Sequence, residues 1–264
     1  MIDKEKLKRR FSRNAMQYDK FARVQKKMGD ILINNINSTG QDYQNILEIG
    51  CGTGYVTRLL LSNFNNAKIT GLDIAPGMID YVKSTVTSKN VDFICSDIEE
   101  INITKKYDLI VSNATFQWFN NLEKTLVKIV NLLKPGGFFC FSTFGTNTFR
   151  ELKNSFEKTQ ILLDIQQDDI SPGQTFISAN QLESICKKQS YNYKISEVYE
   201  YEFFNCCRNF LYSIKKIGAN NSCAKRNNLP PDFIEKVIEI YDRDYKENDK
   251  VIATYHNLFV YITS

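Results

Sequence analysis

The sequence predicts an α/β fold of the Rossmann-like, doubly wound kind, in which a mostly parallel sheet presents a ligand site at the carboxyl ends of its strands. Three observations carry this. Short apolar runs alternate with amphipathic helical stretches between residues 45 and 144. One of these runs, Asn45-Ile46-Leu47, passes directly into Glu48-Ile49-Gly50-Cys51-Gly52-Thr53-Gly54, a strand breaking into a glycine-rich turn. A second run, Lys68-Ile69-Thr70-Gly71-Leu72-Asp73, ends in a carboxylate where an open parallel sheet presents an acid to a ligand's ribose.

At 264 residues the chain can bury a full core, and it reads as a single domain over 1–264: a helical arm over 1–40, a ligand-binding core over 41–145, and substrate-side helices with the last strands over 146–264. In the arm, Leu7, Phe11, Ala15 and Tyr18, then Phe21, Val24, Met28, Ile31 and Leu32, repeat at helical spacing and predict two amphipathic helices. The strand over 45–50 is followed by a helix carrying Val56, Leu59, Leu60 and Phe64. The strand over 68–73 is followed by a helix that opens near Pro76 and carries Met78, Ile79, Val82 and Val86. Residues 91–95 and 107–112 are short and apolar, as buried parallel strands are. Leu122, Leu126, Ile129, Val130 and Leu133 mark a helix that Lys134-Pro135-Gly136-Gly137 should stop before a fifth strand over 138–144. Beyond it the pattern predicts helices over 147–163 and over 178–189, the latter capped by Ser178, and strands over 193–203 and 251–262. Between those strands lies an insertion, about 204–250, with helical stretches at 210–217 and 232–241, placed as a lid over the site.

Composition excludes several classes. No apolar run approaches the ~20 residues of a membrane helix, and the charged start, Met1-Ile2-Asp3-Lys4-Glu5-Lys6, precedes no signal core, so no membrane partner is expected. Seven cysteines without a C-x-x-C pair indicate neither a disulfide framework nor a zinc site, which points to a reducing, cytoplasmic setting and no metal. A net charge of +4 falls short of a nucleic-acid binder's basic stripe, yet favours encounter with a small acidic protein or an anionic metabolite.

The spacing in the loop narrows the ligand. A dinucleotide fold uses G-x-G-x-x-G to bring a helix N-terminus to a pyrophosphate, but here the glycines fall at 50, 52 and 54, and Tyr55 stands where that pattern needs its third. Acidic-x-G-x-G-x-G resembles motif I of class I S-adenosylmethionine-dependent methyltransferases. The resemblance implies that Gly50, Cys51, Gly52 and Gly54 bring backbone against the methionine part of the ligand. An anionic Glu48 suits a sulfonium and an ammonium better than a phosphate, and no basic residue sits in the loop. Asp73, with Ile74 and Met78 just past it, belongs to the ribose side. Ser96-Asp97-Ile98 resembles the adenine-binding turn of this fold, with Asp97 facing the exocyclic amine and Ile98 on the ring, although an Asp capping a turn is the plainer reading. Asn113 closes the fourth strand near the methionine end.

A narrower resemblance spans nearly the whole chain. Ser112-Asn113-Ala114-Thr115-Phe116-Gln117-Trp118-Phe119 joins Phe11-Ser12-Arg13-Asn14-Ala15, Tyr18-Asp19 and Val24-Gln25 upstream. Downstream stand Phe141-Ser142-Thr143-Phe144-Gly145 with Thr148 and Glu151-Leu152, then Lys215-Lys216-Ile217-Gly218-Ala219-Asn220 and Ala253-Thr254-Tyr255-His256. Together these resemble the malonyl-acyl-carrier-protein O-methyltransferases of biotin synthesis. That implies a seven-stranded class I methyltransferase sheet and S-adenosylmethionine as cofactor, with S-adenosylhomocysteine as product. The implied acceptor is the free carboxylate of a malonyl thioester on acyl carrier protein or coenzyme A. Tyr18, Gln117, Trp118, Thr143 and His256 are then candidates for positioning the substrate, though a satisfied residue on the last strand is the plainer reading of His256. Arg150, Arg226 and Arg23 are possible anion clamps or plain surface charges. The basic residues of 208–226 with Lys187-Lys188 would suit an acidic carrier protein. A methyltransferase of another small carboxylic acid or metabolite stays open, as does a binding protein that retains the fold. Transfer to nucleic acid is disfavoured, because Asn113-Ala114-Thr115-Phe116 stands where an Asn-Pro-Pro-aromatic tetrad would hold a flipped base.

Overall fold

The computed structural model describes residues 1–165, 173–218 and 229–264. Helix α1 (Lys4–Phe21) begins where the Asp3 side chain accepts the Lys6 N–H, and α2 (Arg23–Ser38) follows after the single residue Ala22. The core then alternates β1 (Asn45–Ile49), α3 (Tyr55–Asn63), β2 (Lys68–Asp73), α4 (Pro76–Thr85), β3 (Val91–Cys95) and β4 (Tyr107–Ser112). A single 3₁₀ turn at Phe116–Trp118 leads to α5 (Leu122–Val130) and β5 (Leu133–Phe144). The remainder is α6 (Arg150–Leu162), α7 (Ala179–Lys188), β6 (Asn192–Phe204), α8 (Cys207–Lys216), α9 (Phe233–Asp244), the two-residue β7 (Lys246–Glu247) and β8 (Lys250–Thr263).

The strands lie in the order β3-β2-β1-β4-β5-β8-β6, with β7 folded onto β8. Pairing is parallel from β3 to β5 and antiparallel where β8 joins β5 and β6. The chain order reverses at β1, which has β2 on one side and β4 on the other, so a crevice opens at their carboxyl ends. Both faces are covered. On one, α2, α3, α6, α8 and α9 bury Met28, Leu32, Leu60, Phe156, Phe210 and Tyr241; on the other, α5 and α7 bury Leu126, Ile129, Leu182 and Cys186. Arm helix α1 turns Ala15 and its neighbours Phe11 and Tyr18 onto Ala75 and Met78 beside α4. Among the described residues no helix is long and apolar enough to cross a membrane.

Two expectations are corrected. The helix from Leu122 ends at Val130, and Leu133 already pairs with Tyr107. Pro135 restricts only Lys134 directly before it, and the helix has already closed at its C-cap, Asn131. Residues 134–137 form an excursion within β5, since the register jumps from Tyr107↔Leu133 to Leu109↔Phe138, with Gly136 at φ +74. The first strand stops at Ile49, because Gly50 turns to φ +75. By contrast, Ser178 caps α7 as the sequence predicts, in a reciprocal capping box with Gln181 worth about 1 kcal/mol. Ala219, Asn220 and Arg226 lie outside the described residues.

Candidate active site

The glycine turn is built by backbone. Gly50 and Cys51 both donate to the Leu72 carbonyl, at 2.7 and 3.1 Å, and Gly54 donates back to Cys51 at 2.8 Å. A Cβ on Gly50 would lie 2.0 Å from Thr115 Oγ1. At Gly52, φ +52, an added Cβ would meet nothing within 4 Å, so the backbone there opens onto the cleft as a cradle that a side chain would fill. Asp73 locks this turn: its Oδ2 accepts Gly52 N–H at 2.9 Å and its Oδ1 accepts Ala75 N–H at 2.8 Å. Burial pushes the Asp73 carboxyl up to about 6 despite these donors.

A small cleft follows, walled by Gly50, Gly52 and Asp73, by Ile74 before α4 and Met78 in its first turn, by Asp97 and Ile98 after β3, and by Asn113 after β4. The structure thus brings these predicted residues together. Asn113 has its side chain tied at both ends, donating to the Gln25 carbonyl at 2.8 Å and accepting Ser142 Oγ–H at 2.7 Å, so it braces α2 against β5.

Glu48, Cys51 and Gly54 are not on the wall. Glu48 lies beneath the loop, accepting Thr57 Oγ1–H at 2.5 Å, and burial pushes its carboxyl up to about 8. Its side chain thus braces β1 against α3 beneath the loop instead of lining the cleft. Cys51 packs with Ile79, Val82 and Val86, and a Cβ at Gly54 would strike Val82 at 2.5 Å, so both serve the close approach of loop and α4.

Sequence reading missed how much of the cleft belongs to the arm. Lys4, Leu7, Phe11 and Tyr18 of α1 line it. Lys4 Nζ reaches Asp97 at 3.2 Å and Glu99 at 2.6 Å, at the position assigned to an adenine amine. Two latches hold α1 there: Ser12 Oγ accepts Gly77 N–H at 3.0 Å, and Asp19 accepts Thr53 Oγ1–H at 2.6 Å with Arg58 at 3.6 Å. The helical stripe marked the inward face of α1, but periodicity does not say what a face covers.

Beyond the cleft lies a larger chamber of about 690 Å³. Phe11, Tyr18, Ala114 and Trp118 line both spaces and form the partition between them. Phe11 meets Trp118 edge to face at 5.5 Å. Desolvation, then the charges of Asp73 and Asp19, push the Tyr18 phenol upward, so it stays a hydrogen-bond donor. The other walls are mainly apolar, from Phe144, Phe149, Leu152, Phe156, Phe176 and residues of α8 and α9. Arg10, Lys153 and Lys215 are the charged groups among the described lining residues; no carboxylate is among those residues, and Lys153 also pairs with Glu157 at 3.9 Å.

Ala114 (φ 48) and Phe149 (φ 59) are non-glycine residues in the left-handed region, and both line the chamber. Such conformations cost about 1–3 kcal/mol and persist where neighbours over-determine them. For Phe149 the neighbours are the family-like marks at 148–152 and 253–256. Phe149 N–H donates to the Thr254 carbonyl at 2.7 Å, Glu151 accepts both the backbone N–H and the hydroxyl of Thr254, and Thr148 Oγ1 exchanges hydrogen bonds with the His256 backbone.

Of the substrate candidates, Tyr18, Gln117 and Trp118 reach the chamber, whereas Thr143 and His256 line neither space. Thr143 is fully buried and donates to Gln117 Oε1 at 3.1 Å, fixing that side chain, whose Nε2 donates to the Ala114 carbonyl at 2.6 Å. His256 contacts Glu197 at 2.6 Å, stacks on Tyr199 at 4.6 Å, and accepts Asn147 N–H at 3.4 Å. Alternate residues of a strand face opposite ways, and it is the neighbour Tyr255 that faces the chamber, its hydroxyl on Glu202 at 2.8 Å. Arg150 is held by Glu151 at 3.2 Å, and neither it nor Arg23 lines either space. Among the described residues no cluster of three metal-ligating side chains occurs.

This sheet order, with a glycine turn after β1 and an acid closing β2, defines a class I methyltransferase, and a methyltransferase domain model matches residues 47–141. Solved structures agree on the fold. The YcgJ protein of Bacillus subtilis superposes with a TM-score of 0.61 at 15% identity, covering 88% of this chain and 97% of its own. Haemonchus contortus phosphoethanolamine N-methyltransferase 2, in complex with S-adenosyl-L-methionine, gives 0.52 at 18%, covering 84% of this chain and 49% of its own. Sequence relatives are more specific. The malonyl-[acyl-carrier protein] O-methyltransferase of Acetivibrio thermocellus is 45% identical over 98% of this chain and 94% of its own, and that of Priestia megaterium 42% identical over 100% and 98%. The chain belongs to the malonyl-[acyl-carrier protein] O-methyltransferase family, and it is an S-adenosylmethionine-dependent O-methyltransferase.

Proposed function

We propose that the chain methylates the free carboxylate of a malonyl thioester carried on acyl carrier protein, in the cytoplasmic route to the pimeloyl part of biotin. The observation that carries this reading is the chamber, which shares its partition with the cleft and whose charged lining residues, among those described, are cations. When bound, S-adenosylmethionine supplies a methyl group on a sulfonium and leaves as S-adenosylhomocysteine. The residues present suit it: an open backbone cradle at Gly52, the Asp73 carboxylate for ribose hydroxyls, and Asp97 with Ile98 for adenine. Ile74, Met78, Gly50 and Asn113 complete that wall.

The acceptor side needs orientation rather than proton transfer. A carboxylate with a pKa near ~4 is ionised at pH 7, so no general base is required. Tyr18, kept protonated, donates a hydrogen bond to one acceptor oxygen from the partition. Gln117, fixed by Thr143, holds the loop that carries Trp118. Arg10, Lys153 and Lys215 favour entry of an anionic acceptor into a chamber whose walls are mainly apolar, and an apolar surrounding favours combination of opposite charges.

Complementation tests the reading. A biotin auxotroph lacking malonyl-thioester methylation should grow without biotin when it expresses this chain, and should not when it expresses Asp73→Ala. Failure of the well-expressed wild-type chain would overturn the assignment.

A further inference from the structure

We infer that the arm helix α1, together with α8, forms the docking surface for the acidic carrier protein, an inference that rests on the acceptor reading above. The four sides of α1 have separate tasks. Leu7, Phe11, Ala15 and Tyr18 face inward; Ser12 and Asp19 latch onto α4 and the glycine loop; Arg10 and Phe21 face α8. The fourth side is solvent, and it carries Lys6, Arg9, Arg13, Met16 and Lys20, with Glu5, paired to Lys8, at its first turn. With fourteen residue steps from Lys6 to Lys20, that stripe is about 21 Å long.

The stripe is cationic and, for the most part, uncompensated. Lys6 pairs with Asp3, whereas Arg9, Arg13 and Lys20 meet no carboxylate among the described residues. Met16, 83% exposed, places one adaptable apolar side chain in its middle. Helix α8 extends the patch: Phe21 packs on Tyr212 at 6.0 Å, a Cβ on Gly218 would lie 3.3 Å from the Arg10 carbonyl, and Tyr212, 53% exposed, is followed by Lys215 and Lys216. Arg10 and Lys215 also line the chamber, so the patch reaches from the solvent stripe to the chamber's rim. A thioester borne on a carrier protein enters on a flexible arm, and the protein that bears the arm must sit at that rim.

The same geometry removes Lys187 and Lys188 from the docking surface. They pair with Glu183 and Glu123 and belong to α7, which packs on the other face of the sheet. A lipid surface fits the stripe poorly, because a helix lying in a membrane exposes an apolar face, and that of α1 is turned inward.

Charge reversal at Arg9→Glu/Arg13→Glu tests the inference with malonyl-carrier protein and malonyl-pantetheine as parallel acceptors. The expected result is a loss of about tenfold or more in kcat/KM with the carrier protein, shrinking as salt screens the wild-type advantage, with malonyl-pantetheine turnover within about twofold of wild type. Lys187→Glu/Lys188→Glu should leave both unchanged. A double α1 variant that keeps the wild-type preference for the carrier protein overturns the docking surface alone. So does a variant that loses binding to vesicles of anionic phospholipid while carrier-protein turnover is intact. A wild-type chain that methylates neither malonyl thioester overturns the acceptor reading and the docking surface with it.

Discussion

The cleft and the chamber share four residues and little else. The cleft is made largely by backbone: a turn of glycines closed on the Leu72 carbonyl and locked by Asp73, within one stretch of chain from 49 to 98, with the loop over 113–119 and the arm covering it. The chamber is made by side chains gathered from α1, the loop after β4, α6, α8, α9 and β8, spread over most of the sequence. A backbone-built site tolerates little change in residue type but repeats from protein to protein. A side-chain-built site changes whenever one wall residue does, and so we place acceptor choice there.

Substitutions at the two sites should therefore separate cleanly, and the largest effect belongs to the turn. Gly50→Ala puts a Cβ 2.0 Å from Thr115 Oγ1 at φ +75, a clash that must displace the loop. The cost of about 3 kcal/mol or more predicts S-adenosylhomocysteine affinity at least ~100-fold weaker by calorimetry. Near-wild-type affinity would mean that the cleft is not the rigid backbone site described.

Phe149→Ala attacks the other region. It removes a ring that packs on Phe176, Phe210 and Tyr255, and should raise the acceptor KM about tenfold while S-adenosylhomocysteine binding stays within about twofold. Equal losses for both ligands would collapse the distinction between the two sites.

Glu48→Gln probes the brace beneath the loop through pH. The folded-state carboxyl is raised from 4.5 to about 8, so the fold binds this proton more tightly than the unfolded chain does. The associated stability is present at low pH and lost as pH rises from about 4.5 to 8. The ligand-free Gln variant should melt several degrees above wild type at pH 8.5, an effect of a few kcal/mol at most, with the gap closing below pH 5. A gap that widens on acidification would show Glu48 to be ionised in the fold.

The smallest effect is expected at Lys4, which sits on Asp97 where the two sites' shared cover begins. Lys4→Ala should speed cofactor association by about two- to threefold in stopped flow, since one competing ion pair of modest worth is removed. Slower association would mean that Lys4 helps to hold the ligand.

Legibility in the sequence follows the same division. Helices and strands of the core announce themselves through local periodicity, and the glycine spacing at 50, 52 and 54 by itself narrows the ligand. Glu48 shows the limit: its place in the motif was plain, but its burial and bond to Thr57 depend on helix α3 packing behind it. His256 and Tyr255 differ by one position on a strand, and only the register of β8 against β5 and β6 decides which faces the chamber. Arg10 and Lys153 carried no local signal at all, because a cation near an apolar stripe reads as solvated surface until another helix arrives beside it.

Methyl transfer by the purified chain to malonyl-carrier protein, followed by intact mass of the carrier, tests the account most directly. It predicts the gain of one methyl group, removed by mild base as an ester is, at a rate that falls with Gly50→Ala at subsaturating cofactor and with Phe149→Ala at subsaturating acceptor. No methylation of malonyl-carrier protein under conditions where another small carboxylic acid is methylated would contradict it.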